Sequence, residues 1–444
     1  MEFAADHRTR AGRIPDIAVT TQGPGMVTIR CRQILPVTGP PLENGWLRIR
    51  RGRIVDLGSA ALGCDRTPAS GGPQRVLDFG DAVIVPGLVN AHTHLEFSDR
   101  SLPLESSDGL PGWIGRVVRL RRERPAEDEG RAVGAAIRDG LAESAAAGVT
   151  AVGEIATVAA GEAYAGGPRL RVFREALGLS PVGMPVALAA ALRDVDWLGR
   201  RGVSVGLSPH APYSVAAPLG TAIIRESVRR RLPVAMHLAE SPSEEELVAF
   251  GSGTFRSLLE ELGAWDALRP PRLLSAADWI LKLARAHRGI VVHGTHLGRD
   301  PIAVARLARH RDRLCVVVCP RTTRAISGVL PPVPLFHEAG IRVAIGTDSR
   351  ASNPDLSVLA ECRTLVDGGV CSPAESLRMA TIEGAWALGF DRQAGVLAPG
   401  RPADLVILRP TAMHRDPHEA VLDPSTRIQA TLRGGRIIAG RLDA

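Results

Sequence analysis

Apolar residues follow two regimes along this chain. From about Met26 to Asp81 they fall in short runs broken by turns: MVTIRCRQILPV, then ENGWLRIRRGRIVDLG with Arg-Gly at its centre. The C-terminal end repeats the style with PGRPADLVIL and with RIQATLRGGRIIAG, whose halves meet at Gly434-Gly435. Short apolar runs punctuated by Gly and Pro predict strands and hairpins. The long middle reads differently. Apolar runs at 84–95, 150–155, 169–178, 203–212, 233–240, 289–297, 315–320 and 343–349 alternate with amphipathic stretches such as RAVGAAIRDGLAESAAAG and DPIAVARLARHRDR. Eight strand–helix alternations over about 250 residues predict a (β/α)8 barrel, a TIM barrel. A doubly wound open sheet is the competing architecture, but no GxGxxG or Walker loop supports it. Because the β-rich ends flank the barrel, they are expected to join as one small discontinuous β-sandwich. The expected organisation is a loose arm over 1–25, the first part of the sandwich over 26–82, the barrel over 83–390, and the second part over 391–444.

Composition narrows the classes. At 444 residues and 45% hydrophobic, the chain can build a barrel and a second domain. Aromatics make up only 4%, too few for the stacking platforms that bind single-stranded nucleic acid. The net charge is +7, but it is scattered. Its densest runs, Arg119–Pro125 and Ser227–Pro233, close helix-like stretches, where cations suit the macrodipole and read as solvated helix ends. No nucleic-acid partner is expected. Six cysteines without a CxxC pair read as buried free thiols in a reducing compartment. The N-terminus lacks an apolar signal region and no apolar stretch is long enough to span a bilayer, so a cytoplasmic protein without a membrane partner is expected.

The chemistry sits where the apolar runs end. The first closes on VNAHTHLEF, in which His92 and His94 are two residues apart and share a face if the strand alternates regularly. Two buried imidazoles side by side need acceptors or a metal, and neutral imidazole ligates zinc and iron well. One such pair decides little. Later strand ends add His210, His237 with Glu240, His293, and Asp348. Barrel enzymes work at the C-terminal ends of their strands, so five histidines and an aspartate on one rim point to a metal site. Asp348 as a helix N-cap and His237 as a core histidine are the plain alternatives, residue by residue.

The stretches IVPGLVNAHTHLE, GLSPHAPYS, MHLAES, VVHGTHL, CPR, AIGTDSRASNPDLSVLAE and the tail GVLAPGRPADLVIL resemble the amidohydrolase superfamily. Within it the chain is similar to the aminohydrolase branch of deaminases and triazine chlorohydrolases, over about residue 26 to the end. The resemblance implies one divalent metal, zinc with iron as the alternative, held by His92, His94, His237 and Asp348, with a water that the metal activates. It implies that His293 orients that water, that Glu240 protonates a ring nitrogen, and that Asp348 and His293 pass protons until ammonia leaves. Branches that bridge two metals use a lysine on strand 4. The single lysine here, Lys282, lies in a helix-like stretch instead.

On the substrate side the resemblance makes His210 a contact to substrate. It places Trp113, in GLPGWIGR, as a wall of the pocket, and it leaves Glu96 either touching substrate or pairing with an arginine. THLE, FREALGL and TDSRASNPDLS lean toward proteins like aminodeoxyfutalosine deaminase, whereas the segment Arg321–Ala325 after strand 7 departs from that group. The expected partner is a small heterocyclic amine, purine-like, and the resemblance allows a homodimer. Hydrolytic dechlorination or dealkylamination of a triazine-like ring is the competing reaction. A non-catalytic scaffold is the competing class, disfavoured because no expected ligand is missing.

Overall fold

The computed structural model describes residues 25–59, 74–124, 129–412 and 414–442. All but the last residue of the expected N-terminal arm, and also Cys64, lie outside these residues. The other five cysteines are free thiols, four of them buried.

Two eight-stranded sheets carry the fold. The first six strands are β1 (Met26–Ile34), β2 (Leu42–Arg50), β3 (Arg53–Ser59), β4 (Gln74–Asp78), β5 (Val83–Pro86) and β6 (Leu88–Thr93). Then come β7 (Val149–Ala156), β8 (Arg169–Ala176), β9 (Ser204–Pro209), β10 (Val234–Leu238), β11 (Gly289–His293), β12 (Leu314–Val318) and β13 (Arg342–Ile345). The last three are β14 (Leu405–Arg409), β15 (Arg427–Arg433) and β16 (Arg436–Gly440). Strands β6 to β13 pair in sequence order, all parallel, with helices between most of them. This is the predicted barrel, and each of the eight runs supplies one of its strands.

The run beginning at Ile84 is two strands, not one. Pro86 and Gly87 interrupt it. Before the break, β5 pairs with β14 and β1 in the second sheet; after it, β6 starts the barrel. Proline lacks the amide that a continuing ladder requires. Gly87 leaves room for Thr150, whose Oγ1 would lie 2.1 Å from an added Cβ.

The second sheet runs β16-β15-β14-β5-β1-β2-β3, with β4 beside β1, so strands from both ends of the chain are hydrogen-bonded into it. Alternation divides its residues between two cores. Ile84, Leu405 and Ile407 pack in the sheet's own cluster, while Val83, Val85, Val406 and Leu408 join the cluster shared with the barrel's outer face. Asp404 ties the two parts together, accepting from Arg169 of β8 at 3.2 Å and from the Gly434 amide at 2.6 Å.

Inside the barrel, Val89, Ala151, Phe173, Ala235, Ile290, Val292, Val317 and Ala344 form a packed core. Trp386 and Phe390 close its lower end beneath the guanidinium groups of Arg171, Arg288 and Arg342. The upper end is closed by a seam between the last strand and the first. The amides of Thr347 and Asp348 both donate to the His92 carbonyl, at 3.0 and 3.1 Å. Asn90 brackets the seam, donating to Thr347 Oγ1 at 2.7 Å and accepting from the Thr347 amide at 3.1 Å. Among the described residues, no helix is long and apolar enough to cross a membrane.

Gly346 is required by this seam, because an added Cβ would stand 2.7 Å from the His92 carbonyl oxygen and 3.0 Å from its amide nitrogen. Both neighbours are backbone and cannot rotate away. Gly346→Ala is expected to lower stability by about 1–3 kcal/mol, read as the midpoint of urea unfolding. An unchanged midpoint would show that the strands tolerate separation there.

Candidate metal centre and substrate cavity

The two histidines reach the rim by an irregular route. Val89 and Ala91 both pack in the barrel interior, so strict alternation would next turn Thr93 inward. Instead the β6–β7 register shifts between Asn90 and Thr93. A shift of this kind re-aims side chains. His92 and His94 converge on the site, and Thr93 donates to the Asp348 carbonyl at 2.5 Å. The two imidazoles thus come together although the regular alternation expected of the strand is not kept. Further round the rim, Ala239, His293 and Asp348 have φ of 54°, 66° and 55°. That left-handed region is uncommon for residues other than glycine and marks functional turns.

The expected ligands lie together. His94 Nε2 and His237 Nε2 are 3.2 Å apart, and Asp348 Oδ1 is 3.8 Å from both His92 Nε2 and His94 Nε2. His92, His94 and Asp348 form one potential metal-binding group, and His92, His237 and His293 another that shares His92. The donor set fits a divalent ion. Ligand atoms about 2.1 Å from one tetrahedral ion stand roughly 3.4 Å apart, close to these spacings. His92 is buried with both ring nitrogens unpartnered, as are Nδ1 of His94 and of His293. His237 Nδ1 donates to the His210 carbonyl at 3.0 Å, which fixes the tautomer with the Nε2 lone pair free.

Burial sets the protonation. Desolvation, then the neighbouring histidines, hold His92 and His94 far below the usual imidazole range. Desolvation, then His210, brings His237 down to about 4. All three are neutral at pH 7, as ligands must be. Desolvation pushes Asp348 up to about 7 despite the Ser352 hydroxyl. Ser352 Oγ donates to Asp348 Oδ2 at 2.8 Å, and Thr322 Oγ1 lies 2.9 Å from Ser352 Oγ. This accounts for part of the departing segment after β12. Thr322 supports the aspartate through Ser352, and Arg321 pairs with Asp355 at 2.7 Å.

Glu240 stands beside this set, its Oε1 3.4 Å from His293 Nε2. Desolvation, then the Asp348 and Glu244 carboxylates, push it well above the usual carboxylate range, so the site favours its protonated form. Its turn is anchored by Glu244, which accepts from the amides of Ala239 at 2.7 Å and Glu240 at 3.4 Å.

These groups form the floor of a cavity of about 280 Å³, lined by His94, His210, His237, Glu240, His293 and Asp348 and walled by Trp113, Tyr213 and Phe255 among others. Trp113 is buried against it, its indole N–H donating to the Ala351 carbonyl at 3.2 Å. His210 Nδ1 meets Ser214 Oγ at 2.6 Å, and desolvation, then Arg121, brings this ring down to about 3. Glu96 does not line the cavity. It is buried and binds Arg121 Nη2 at 2.7 Å, with Thr157 Oγ1 at 3.1 Å and Arg124 at 3.7 Å.

Two features escaped the sequence reading. Arg121 is not a solvated helix end: it lines the cavity and pairs with Glu96, while Arg119 and Arg122 of the same run are exposed. Glu175 is buried at the end of β8, 3.9 Å from His210 Nε2, with neither carboxylate oxygen hydrogen-bonded. Its place in FREALGL was visible, but nothing local marked a buried acid.

Comparison with known proteins agrees with this architecture. Residues 83–438, taking in the whole barrel and the C-terminal strands of the second sheet, match the amidohydrolase family. A 5-methylthioadenosine/S-adenosylhomocysteine deaminase of Moorella thermoacetica is 28% identical over 424 residues, covering 92% of this chain and 90% of its own. Among solved structures, the aminofutalosine deaminase of Helicobacter pylori in complex with methylthio-coformycin shares the fold with a TM-score of 0.79. It is 22% identical, covering 93% of this chain and 100% of that one. An adenosine deaminase of Xanthomonas campestris with bound zinc has a TM-score of 0.72 at 22% identity, covering 94% of this chain and 93% of that one. The chain therefore belongs to the amidohydrolase family of enzymes.

Proposed function

We propose that this enzyme hydrolyses the exocyclic amine of an adenosine-like purine and releases ammonia. The observation that carries the reading is a buried carboxyl on the cavity floor, Glu240, 3.4 Å from His293 and beside the imidazoles and Asp348, where desolvation favours its protonated form. The deaminases similar to this chain support the substrate class.

His92, His94, His237 and Asp348 would hold one divalent ion, with zinc favoured by the imidazole-rich set and by the zinc-bound structural relative. Such an ion supplies a water acidified toward neutral pH. The chain's own groups do the rest. His210, neutral and held by Ser214, contacts the ring. Glu240 donates its proton to the ring nitrogen beside the carbon that bears the amine, and that carbon takes up the water oxygen. His293 and Asp348 accept the water's two protons and pass one to the amine, which leaves as ammonia while the ring carbon keeps a carbonyl, and the other back to Glu240. The balance is one water consumed and one amine exchanged for oxygen. Hydrolysis of a chlorinated triazine has less need of a proton donor on the ring, so Glu240 favours deamination.

His237→Ala is expected to lose zinc and activity together, measured as metal content after gel filtration and as ammonia release from adenosine-type substrates. Glu240→Gln is expected to keep its zinc and lose about 10²–10⁴-fold in kcat. Zinc loss from Glu240→Gln would mean that the glutamate holds the metal instead. Ser352→Ala, which strips Asp348 Oδ2 of its donor, is expected to retain zinc at saturating concentration and lose about 10–100-fold in kcat or in zinc affinity. Wild-type values for both would show that the hydroxyl pair with Thr322 does not position the aspartate.

A further inference from the structure

The cavity is chemically divided. Its floor carries the histidines, Glu240 and Asp348. Its wall does not continue that polarity. Phe97, Trp113, Val117, Tyr213, Phe255 and Leu259 line it and belong to one buried apolar cluster. Tyr213 stacks on Phe255 with ring centres 4.1 Å apart.

The mouth is apolar as well. Leu177 lines it and is 43% exposed. Gly178 beside it lies against Met184, 3.6 Å from where a Cβ would stand. Leu179, Leu262 and Ala264, none of them fully buried, line the cavity as well.

Charge is correspondingly scarce. The carboxylates lining the cavity are Glu240 and Asp348, both on the floor. The arginine in the wall, Arg121, is held by Glu96 at 2.7 Å, and its guanidinium lies 5.2 Å from the Phe97 ring centre. A ligand ammonium would meet no wall carboxylate, and a ligand carboxylate would meet a cation already neutralised. Charge placed against apolar surface without a partner is penalised, whereas a thioether or alkyl group gains by the same contact.

We infer that the group carried at the far end of the substrate's sugar is apolar and uncharged, so the enzyme discriminates between two adenosine thioethers with the same ring and sugar. It favours the methyl thioether over the homocysteine thioether, whose far end is a zwitterion. This rests on the deaminase reading above, and it assigns the specificity to the apolar wall and mouth rather than to the floor.

The test uses 5′-methylthioadenosine and S-adenosylhomocysteine with the zinc-loaded full chain. Ammonia release gives kcat/KM for each, and calorimetry on zinc-loaded Glu240→Gln gives binding without turnover. The expected result is a preference for the methyl thioether of about tenfold or more in both readouts. Leu177→Asp, at a position of the mouth that is 43% exposed, sets a charge beside the thioether methyl and is expected to weaken use of the methyl thioether most, narrowing that ratio at least about threefold. Equal or better use of the homocysteine thioether overturns the inference, as does a ratio that Leu177→Asp leaves unchanged. If neither compound releases ammonia but the methyl thioether binds more tightly by the same factor, the proposed reaction fails and the apolar subsite stands. Binding of neither overturns both.

Discussion

The structure depends on one shared acceptor, the carbonyl oxygen of His92. It takes the amides of Thr347 and Asp348, and those two bonds close the barrel at its upper rim. The same contact brings together the candidate metal-binding side chains of the first and last barrel strands. His92 and His94 leave from one side of the seam and Asp348 from the other, which puts the carboxylate 3.8 Å from both imidazoles. Closure of the sheet and assembly of the centre are therefore one event. Asp348 takes a left-handed turn at this seam, and His293 takes another at the end of β11, each ending its strand abruptly.

Burial then gives each group its protonation state. A water-excluded rim disfavours every charged form, whatever its sign. Desolvation drives protons off the imidazoles, as metal ligation requires, and favours the protonated form of Glu240, as a proton donor requires. No separate device is needed for the base-like and acid-like halves of the site. A divalent cation would offset the remaining negative charge of Asp348, which explains why so many polar atoms without protein partners can be concentrated in so small a volume. Glu244, Ser352 and Thr322 do quieter work by fixing the turns that carry Glu240 and Asp348.

The cavity above this floor is built from other parts of the fold. The helix Gly109–Glu123 brings Trp113, Val117 and Arg121, and the helix Thr254–Glu261 brings Phe255, Leu258 and Leu259. Neither helix contributes to the metal-binding group. On the proposed reading, chemistry and selectivity reside in different elements, with strand ends holding the reactive set and inserted helices shaping what can approach it.

The amino-acid sequence by itself determined the eight barrel strands, the hairpins at both ends, and the histidines and acids at the strand ends. Each is a local pattern: apolar runs of strand length, Gly-marked turns, and polar residues just past the apolar run. Tertiary structure alone decided matters of partnership. Whether IVPGLVN is one strand or two depends on β14, more than three hundred residues away, which pairs with its first half only. Whether Glu96 meets a ligand or an arginine depends on a helix that begins after a loop and folds back over it. The same fold-back takes Arg121 out of a basic run and into the wall of the cavity, while Arg119 and Arg122 stay in water, because 100° steps around a helix send neighbours to different faces. Glu175 and Thr322 gave no signal for the same reason: a side chain's role in a buried site is set by what the rest of the fold places opposite it, and sequence neighbours do not carry that information.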